Sequence, residues 1–201
     1  LPISAHSFSS SSYLIAKSAI ALNDYETAAK HYEIGNLFNL HANDLQKKLI
    51  AFVNSNNLSK ASIVAKEIID LDISNQEAWL IYLANAKLKN ELHLFKEFEK
   101  LEWGEEYNIV KYIYYSDGQL KQNNHDIAEA VFDIIKVSAN DDLIKVESYD
   151  YLLFYITVAL NFNPTFDEAL FFKANFFEQI KNYDMAEKIY QKIKNNSAFH
   201  L

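Results

Sequence analysis

The sequence contains one short phrase twice, near its two ends, and this repetition constrains the fold more than any other feature. The phrase reads NDYETAAKHY at residues 23–32 and KNYDMAEKIY at residues 181–190. Both copies begin with residues typical of a turn, then place an aromatic residue, an alanine three positions later and a tyrosine four positions after that. Such a unit is typical of helical hairpins, which must stack on their neighbours to bury an apolar face. We therefore expect an all-α solenoid of stacked antiparallel helix pairs.

The same layout recurs between the two copies with varying clarity. A turn at Asn56 is followed by Ala61, which lies 33 residues after Ala28. Ala128 lies 67 residues after Ala61, a distance of two such periods. The segment between them, Gln76–Leu101, occupies the additional period but shows only a weak version of the pattern. We therefore predict that it forms a third, degenerate unit.

The period then slips. Leu152 lies 34 residues before Ala186, as the period requires, but only 24 residues after Ala128. About ten residues are missing from this slot, too many for a variation in one turn. Two explanations stay open: the fifth unit has lost its first helix, or residues are absent from this sequence. The irregular join is predicted at Ser138–Glu147, which includes Asp141-Asp142.

These spacings divide the chain into four segments. The segments are a flexible, serine-rich leader at 1–11, repeats 1–4 at 12–139, an irregular join with an incomplete repeat 5 at 140–164, and repeat 6 with the start of a further helix at 165–201. Because apolar residues continue to the last position, we expect this chain to be cut from a longer array. Ala5-His6-Ser7 fits a signal-peptide cleavage site, with an arbitrary loop boundary as the alternative. A periplasmic or envelope-associated location and a cytoplasmic one both stay open.

Composition excludes several classes of partner. The chain has 19 lysines, no arginine and a formal net charge of −8. Arginine is the usual residue for bidentate phosphate contacts, and nucleic-acid binding relies on basic patches, so we expect no nucleic-acid partner. No run of 18 apolar residues occurs, so we expect no transmembrane segment. Cysteine is absent, which excludes disulfides and leaves the compartment open.

No residue pattern predicts a catalytic, cofactor or metal site. His93 and Glu97 share one helix face, but two ligands do not make a metal site and a solvated face explains them better. Glu105-Glu106 is better explained by the preference for negative charge at a helix start than by acid–base catalysis. A metal or hydrolytic site in this chain is therefore a remote hypothesis.

The repeating residues resemble the tetratricopeptide repeat, which has about 34 residues per unit, small residues and aromatics on its first helix and an alanine opening its second. The resemblance is close in Ser12–Leu40 and Asp167–Asn196, moderate in Asp44–Asp72 and Asn108–Val137, and poor in Gln76–Leu101. It implies a right-handed α–α superhelix whose first helices line a concave groove. More loosely, the chain looks like the multi-repeat proteins of alphaproteobacteria, which are often exported and mostly without a known partner.

The chain also departs from the family pattern. Gly35 stands where an alanine is usual, and Pro164 is the only proline at a repeat end. The clamp of lysines and asparagines with which some family members grip a peptide carboxylate is not reproduced, because Tyr13 stands where a lysine would be expected. The function of binding chaperone tails is therefore not carried over.

Placed by the repeat register, ten residues are predicted to line the groove. They are Tyr13, Lys17, Gln46, Ile50, Val53, Ile113, Asp117, Lys121, Phe171 and Asn175. The helix predicted near Tyr107 carries more aromatic residues than one buried face needs, and surface tyrosines are typical of recognition sites. Packing between helices explains most of the other aromatic residues.

The function expected from these patterns is non-catalytic: a scaffold that binds a protein or peptide in its groove. The alternative is an accessory repeat arm of a larger enzyme or envelope assembly whose active part lies outside this chain. The identity of the partner and the oligomeric state are left open by the sequence.

Overall fold

The computed structural model describes residues 5–35, 41–101, 103, 108–139, 149–194 and 197–199. The described chain is all-α apart from one small hairpin, and successive helices pack against each other, as the sequence predicts. It falls into two compact units that divide between Val110 and Lys111.

The first unit contains three successive helix pairs. Its helices are α1 (Ala5–Ala21), α2 (Tyr25–Ile34), α3 (Ala42–Asn54), α4 (Leu58–Leu71), α5 (Gln76–Leu88) and α6 (His93–Glu99). Each helix from α1 to α5 packs on the next one along the chain, so α3 has neighbours on two sides. The helix α7 (Ile109–Tyr114) begins at the end of this unit.

The second unit contains a short β-hairpin and two helix pairs. Its elements are β1 (Tyr115–Ser116), β2 (Gln119–Leu120), α8 (Asn124–Ala139), α9 (Tyr149–Phe162), α10 (Asp167–Gln179) and α11 (Tyr183–Tyr190). The helices α8 and α9 pack along each other, as do α10 and α11, and α9 also contacts α10.

Four turns that follow helices share one backbone geometry. In the turn after α1, the N–H of Asn23 donates to the carbonyl of Ile20, and the N–H of Asp24 donates to the carbonyl of Ala19. This is the Schellman motif, which ends a helix with a residue in the left-handed conformation. The left-handed residues of the four turns are Asn23 (φ 56°), Asn56 (φ 59°), Asn90 (φ 60°) and Lys181 (φ 62°).

In three of these turns the next residue caps the following helix. The Asp24 carboxylate accepts from the N–H of Thr27 at 3.0 Å, and Asn57 and Asn182 accept in the same way at 3.3 Å each. Side-chain caps satisfy backbone donors that the first turn of a helix leaves without partners. The repeated phrase is therefore a turn and cap followed by a helix.

The alanines that recur with the period lie in the core. Ala28 and Ala61 are fully buried and Ala186 is 3% exposed. Small side chains at these positions allow the helices to approach closely, and the neighbouring aromatic and aliphatic residues fill the remaining space. The predicted third hairpin is also present as α5 and α6, with Trp79, Phe95 and Phe98 buried.

Two predictions at the chain ends differ from the structure. The segment 1–11 is predicted as a flexible leader, but α1 begins at Ala5 and Ser12 is buried within it. Helical packing of Ala16 and Ala19 on α2 explains why the serine-rich stretch continues as a helix rather than a loop. Ser197–Phe199, predicted as the start of a helix, forms a bend and a turn.

The fourth predicted unit also differs. Its first helix ends at Tyr114, and β1 and β2 follow, with Tyr115 opposite Leu120 and Ser116 opposite Gln119. The two turn residues, Asp117 and Gly118, have φ values of 51° and 74°. Positive φ at both positions is typical of the turn that joins two antiparallel strands in a tight hairpin.

The slip in the repeat period is explained by how α8 pairs. The sequence assigns α8 to the fourth unit as a second helix and leaves α9 without a first helix. In the structure α8 packs along α9, so α9 has a partner and the irregular element is the short α7 with its hairpin. Most of the predicted join, including Asn140 and Asp141-Asp142, lies outside the described residues.

Candidate peptide-binding surface

Tyr13 and Lys17 lie one turn apart on α1, on the side that meets α3. The hydroxyl of Tyr13 donates a 2.6 Å hydrogen bond to the carboxylate of Asp44 in the first turn of α3. The ammonium of Lys17 lies 5.1 Å from the centre of the Tyr13 ring, within the range of a cation–π contact. These three side chains form a continuous polar cluster across the first helices of two successive hairpins, which we call the α1–α3 surface.

Lys17 is the accessible member of this surface. Its side chain is exposed, and Leu14, three positions earlier on the same helix, is 63% exposed. Hydrogen bonding with Tyr13 first, and the negative charge of Asp44 to a smaller extent, raise the pKa of Lys17 above its ordinary value. Lys17 therefore stays an ammonium ion beside an aromatic ring and an exposed apolar side chain.

Tyr32 lies beneath this surface on α2. It is 1% exposed, and its hydroxyl has no hydrogen-bond partner among the described residues. Burial raises the pKa of Tyr32 well above its usual range, with smaller contributions from Asp44 and Tyr13. Tyr32 is therefore a neutral core residue close to the charge of Asp44, and its hydroxyl is a donor that a water molecule or ligand atom can satisfy.

The other predicted groove residues of α3 divide into one that is accessible and two that are not. Gln46 is half-buried, two positions after Asp44. Ile50 is 5% exposed and Val53 is 1% exposed, so the prediction that they line a groove is wrong. Because α3 packs against both α2 and α4, its apolar residues are covered on two sides.

The three residues predicted on the first helix of the fourth unit do not share a helix face. Ile113 is fully buried on α7, Asp117 lies in the hairpin turn, and Lys121 follows β2. The Lys121 ammonium donates to the carbonyl of Tyr112 at 2.9 Å and lies 5.5 Å from that ring. Their assignment to one groove face is wrong, because it assumed that the helix continued past Tyr114.

Phe171 and Asn175 of α10 contact the second helix of their own hairpin. The Tyr190 hydroxyl donates to the side-chain oxygen of Asn175 at 2.8 Å and to the carboxylate of Glu178 at 3.1 Å. The Phe171 ring packs against the rings of Tyr190 and Phe199, with centres 6.1 and 5.5 Å apart. Both predicted residues are half-buried and hold the hairpin together.

The sequence did not single out a lysine on α10 that has an unusual environment. The Lys173 ammonium donates to the hydroxyl of the fully buried Thr157 at 3.1 Å. Burial first, and the charge of Lys192 second, lower the pKa of Lys173 to about 8. The sequence does contain a signal for this lysine, because Lys173 lies between Leu170 and Ala174 on the apolar face of the helix.

Two structural findings bear on other classes of function. Within the part of the chain that the structure describes, no helix is long and apolar enough to cross a membrane. The same residues contain no group of three or more histidines, aspartates and glutamates arranged to hold a metal ion.

The comparisons with known proteins give no relative. No family model, no curated protein and no solved structure matches this chain.

Proposed function

We propose that this chain is a non-catalytic helical-repeat scaffold of the tetratricopeptide type that binds a protein or peptide at its α1–α3 surface. The observation that carries the proposal is the hydrogen bond between Tyr13 and Asp44, since it links the first helices of two hairpins. The resemblance to the tetratricopeptide repeat implies that these helices line the ligand-binding side, which supports the proposal.

The side chains of this surface suit a peptide ligand. Lys17 offers an ammonium ion, Tyr13 an aromatic ring and Leu14 an exposed apolar side chain. Aromatic residues that combine apolar area with a polar group are frequent at protein interfaces. Because Asp44 accepts from Tyr13, the ring is held in position before a ligand arrives, which reduces the entropic cost of binding.

Site-specific photo-crosslinking in the native host tests this proposal. A photoreactive amino acid replaces Leu14 in one variant and Ile63 in the other, because these side chains are 63% and 64% exposed, on α1 and α4. We expect an adduct at position 14 that is absent at position 63, and competition by a synthetic peptide taken from the adduct. Equal labelling at both positions, or no adduct at position 14, contradicts the proposal.

A second function is favoured by the apolar residues that α1 exposes. Ile15 is 42% exposed, and Leu22, which follows the helix, is 77% exposed. These side chains are the kind that a further protein surface covers, so an accessory arm of a larger enzyme or envelope assembly is the alternative. The complete reading frame decides it: a second domain of different composition favours the arm, and repeats throughout exclude it.

A further inference from the structure

We propose that Lys173 and Thr157 form a binding site for a single carboxylate group. The site lies in the second unit, on α9 and α10. It does not rest on the function proposed for the α1–α3 surface, which belongs to the first unit.

The position of Lys173 in its helix is the first argument. Leu170, Ala174 and Phe177 lie three residues before it, one after it and four after it, and each is at most 9% exposed. Residues three and four apart share a helix face, so Lys173 extends from the apolar face of α10. Holding an ammonium ion there removes part of its hydration, which is unfavourable unless an anion replaces the water.

The contacts of the ammonium are the second argument. An ammonium group has three N–H donors, and Lys173 uses one of them on Thr157 at 3.1 Å. No carboxylate lies within ion-pair distance of Lys173 among the described residues. Two donors therefore remain for the oxygens of a ligand.

The nearby acidic residues are engaged elsewhere. Glu168 pairs with Lys136 at 2.9 Å, Glu178 accepts from Tyr190, and Asp167 accepts from the backbone of Lys194. None of them contributes to the pKa of Lys173, whereas the ammonium of Lys192 lowers it. The local field is therefore positive in a chain whose formal net charge is −8.

The charge and the hydrogen-bond donors of Lys173 indicate which ligand group would suit it. One negative charge compensates the desolvated ammonium, and two oxygens match its two remaining donors. A carboxylate supplies both in the smallest volume, and a hydrogen bond to a charged group is stronger than one between neutral groups. A free carboxylic acid and a carboxylate on a peptide share this chemistry.

Nuclear magnetic resonance of the intact chain tests the site. The Cε resonance of isotopically labelled lysines gives the pKa of each amine. It is measured at constant ionic strength in the presence of acetate, of an acetylated glycine peptide, or of the C-terminal amide of that peptide. Inorganic phosphate and chloride are tested in the same way. We expect acetate to raise the pKa of Lys173 by about one unit, saturably, because a bound anion favours the charged form.

Variants separate the site from general salt effects. Thr157→Val and Lys192→Met should each weaken acetate binding several-fold, Lys173→Met should abolish the effect, and Lys188→Met, which alters an exposed lysine of α11, should leave it unchanged. If acetate binds and the acetylated peptide does not, the ligand is a free carboxylic acid. If both bind, the ligand is a carboxylate at a peptide terminus. A pKa of Lys173 that does not respond to acetate, a response shared by all lysines, or a preference for phosphate overturns the proposal.

Discussion

The hydroxyl of Tyr13 donates to the carboxylate of Asp44 at 2.6 Å, across 31 residues of sequence. Tyr13 lies at the middle of α1 and Asp44 in the first turn of α3, and these are the first helices of successive hairpins. The bond therefore forms only when the first helices of the two hairpins lie in this relative position. It also holds the Tyr13 ring that the Lys17 ammonium contacts.

The first prediction concerns the energy of this bond. Replacing Tyr13 with Phe should lower the free energy of unfolding by about 1 kcal/mol, because it removes a hydrogen bond to a charged, partly solvated acceptor. A double-mutant cycle with Asp44→Ala, measured by urea denaturation, should give a coupling energy of similar size.

The matched control for this cycle is Tyr183→Phe. Tyr183 occupies the equivalent of Tyr25 in the last repeat and is 61% exposed, so its hydroxyl should contribute almost nothing. A coupling energy near zero between Tyr13 and Asp44, or an equal loss in the control, would show that the bond between α1 and α3 does not stabilise the fold.

The second prediction concerns the turn before α11. Lys181 has φ 62°, whereas asparagine occupies the equivalent position in the other three turns of this type. A lysine pays a steric cost in this conformation that glycine does not, so Lys181→Gly should raise the free energy of unfolding by ~0.5–1 kcal/mol. Thermal or urea unfolding measures the change.

The control substitution should act in the opposite direction. Lys188 lies within α11 and is exposed, so Lys188→Gly should lower the free energy of unfolding by about 1 kcal/mol through the low helix propensity of glycine. If both substitutions destabilise the protein equally, the left-handed conformation of Lys181 does not limit its stability.

The third prediction concerns pH and Lys173. Burial lowers the pKa of this amine from 10.5 to about 8, so the unfolded chain binds more protons than the folded one between these two values. Stability due to this group therefore rises with pH from about 8 to 10.5, and below that window the charged amine destabilises the fold by at most ~3 kcal/mol.

The variant Lys173→Met isolates this contribution, because methionine has a similar shape and no charge. The variant should be more stable than the parent near neutral pH, and the difference should shrink as the pH rises through the window. Lys192→Met, at an exposed position, should reduce the difference only slightly. A difference that does not depend on pH would mean that Lys173 keeps an ordinary pKa in the folded protein.

The hairpin turns were predictable from sequence because their residues have local roles. Asn23-Asp24, Asn56-Asn57 and Lys181-Asn182 each place a helix-ending residue before a helix cap, and both functions depend on neighbours within a few residues. In the first unit, the period of the buried alanines also predicted the order of the helix pairs.

The hairpin of β1 and β2 was missed although a local signal was present. Asp117-Gly118 is a dipeptide typical of tight β-hairpins, and β-branched and aromatic residues precede it. The repeat pattern predicted a continuous helix through these residues, and this prediction was preferred to the hairpin. Pairing of α8 with α9 was missed for a different reason, because it depends on long-range packing that spacing alone does not specify.

The candidate surface was predictable only in part. Tyr13, Lys17 and Gln46 are accessible or half-buried, so their place in a groove stays a prediction. The repeat spacing gave no indication that Ile50 and Val53 are covered by the neighbours of α3. Asp44 was not among the predicted residues, because its role arises from a bond between two helices rather than from its own sequence context.

Isothermal titration with the crosslinked partner tests the central claim most directly. The partner is titrated into the parent chain, into Lys17→Met and into Lys30→Met, which changes an exposed lysine on α2. If the α1–α3 surface binds the partner, Lys17→Met should weaken the affinity about tenfold, a loss of ~1.4 kcal/mol, while Lys30→Met leaves it unchanged. Equal affinities of all three proteins would contradict the claim that this surface is the binding site.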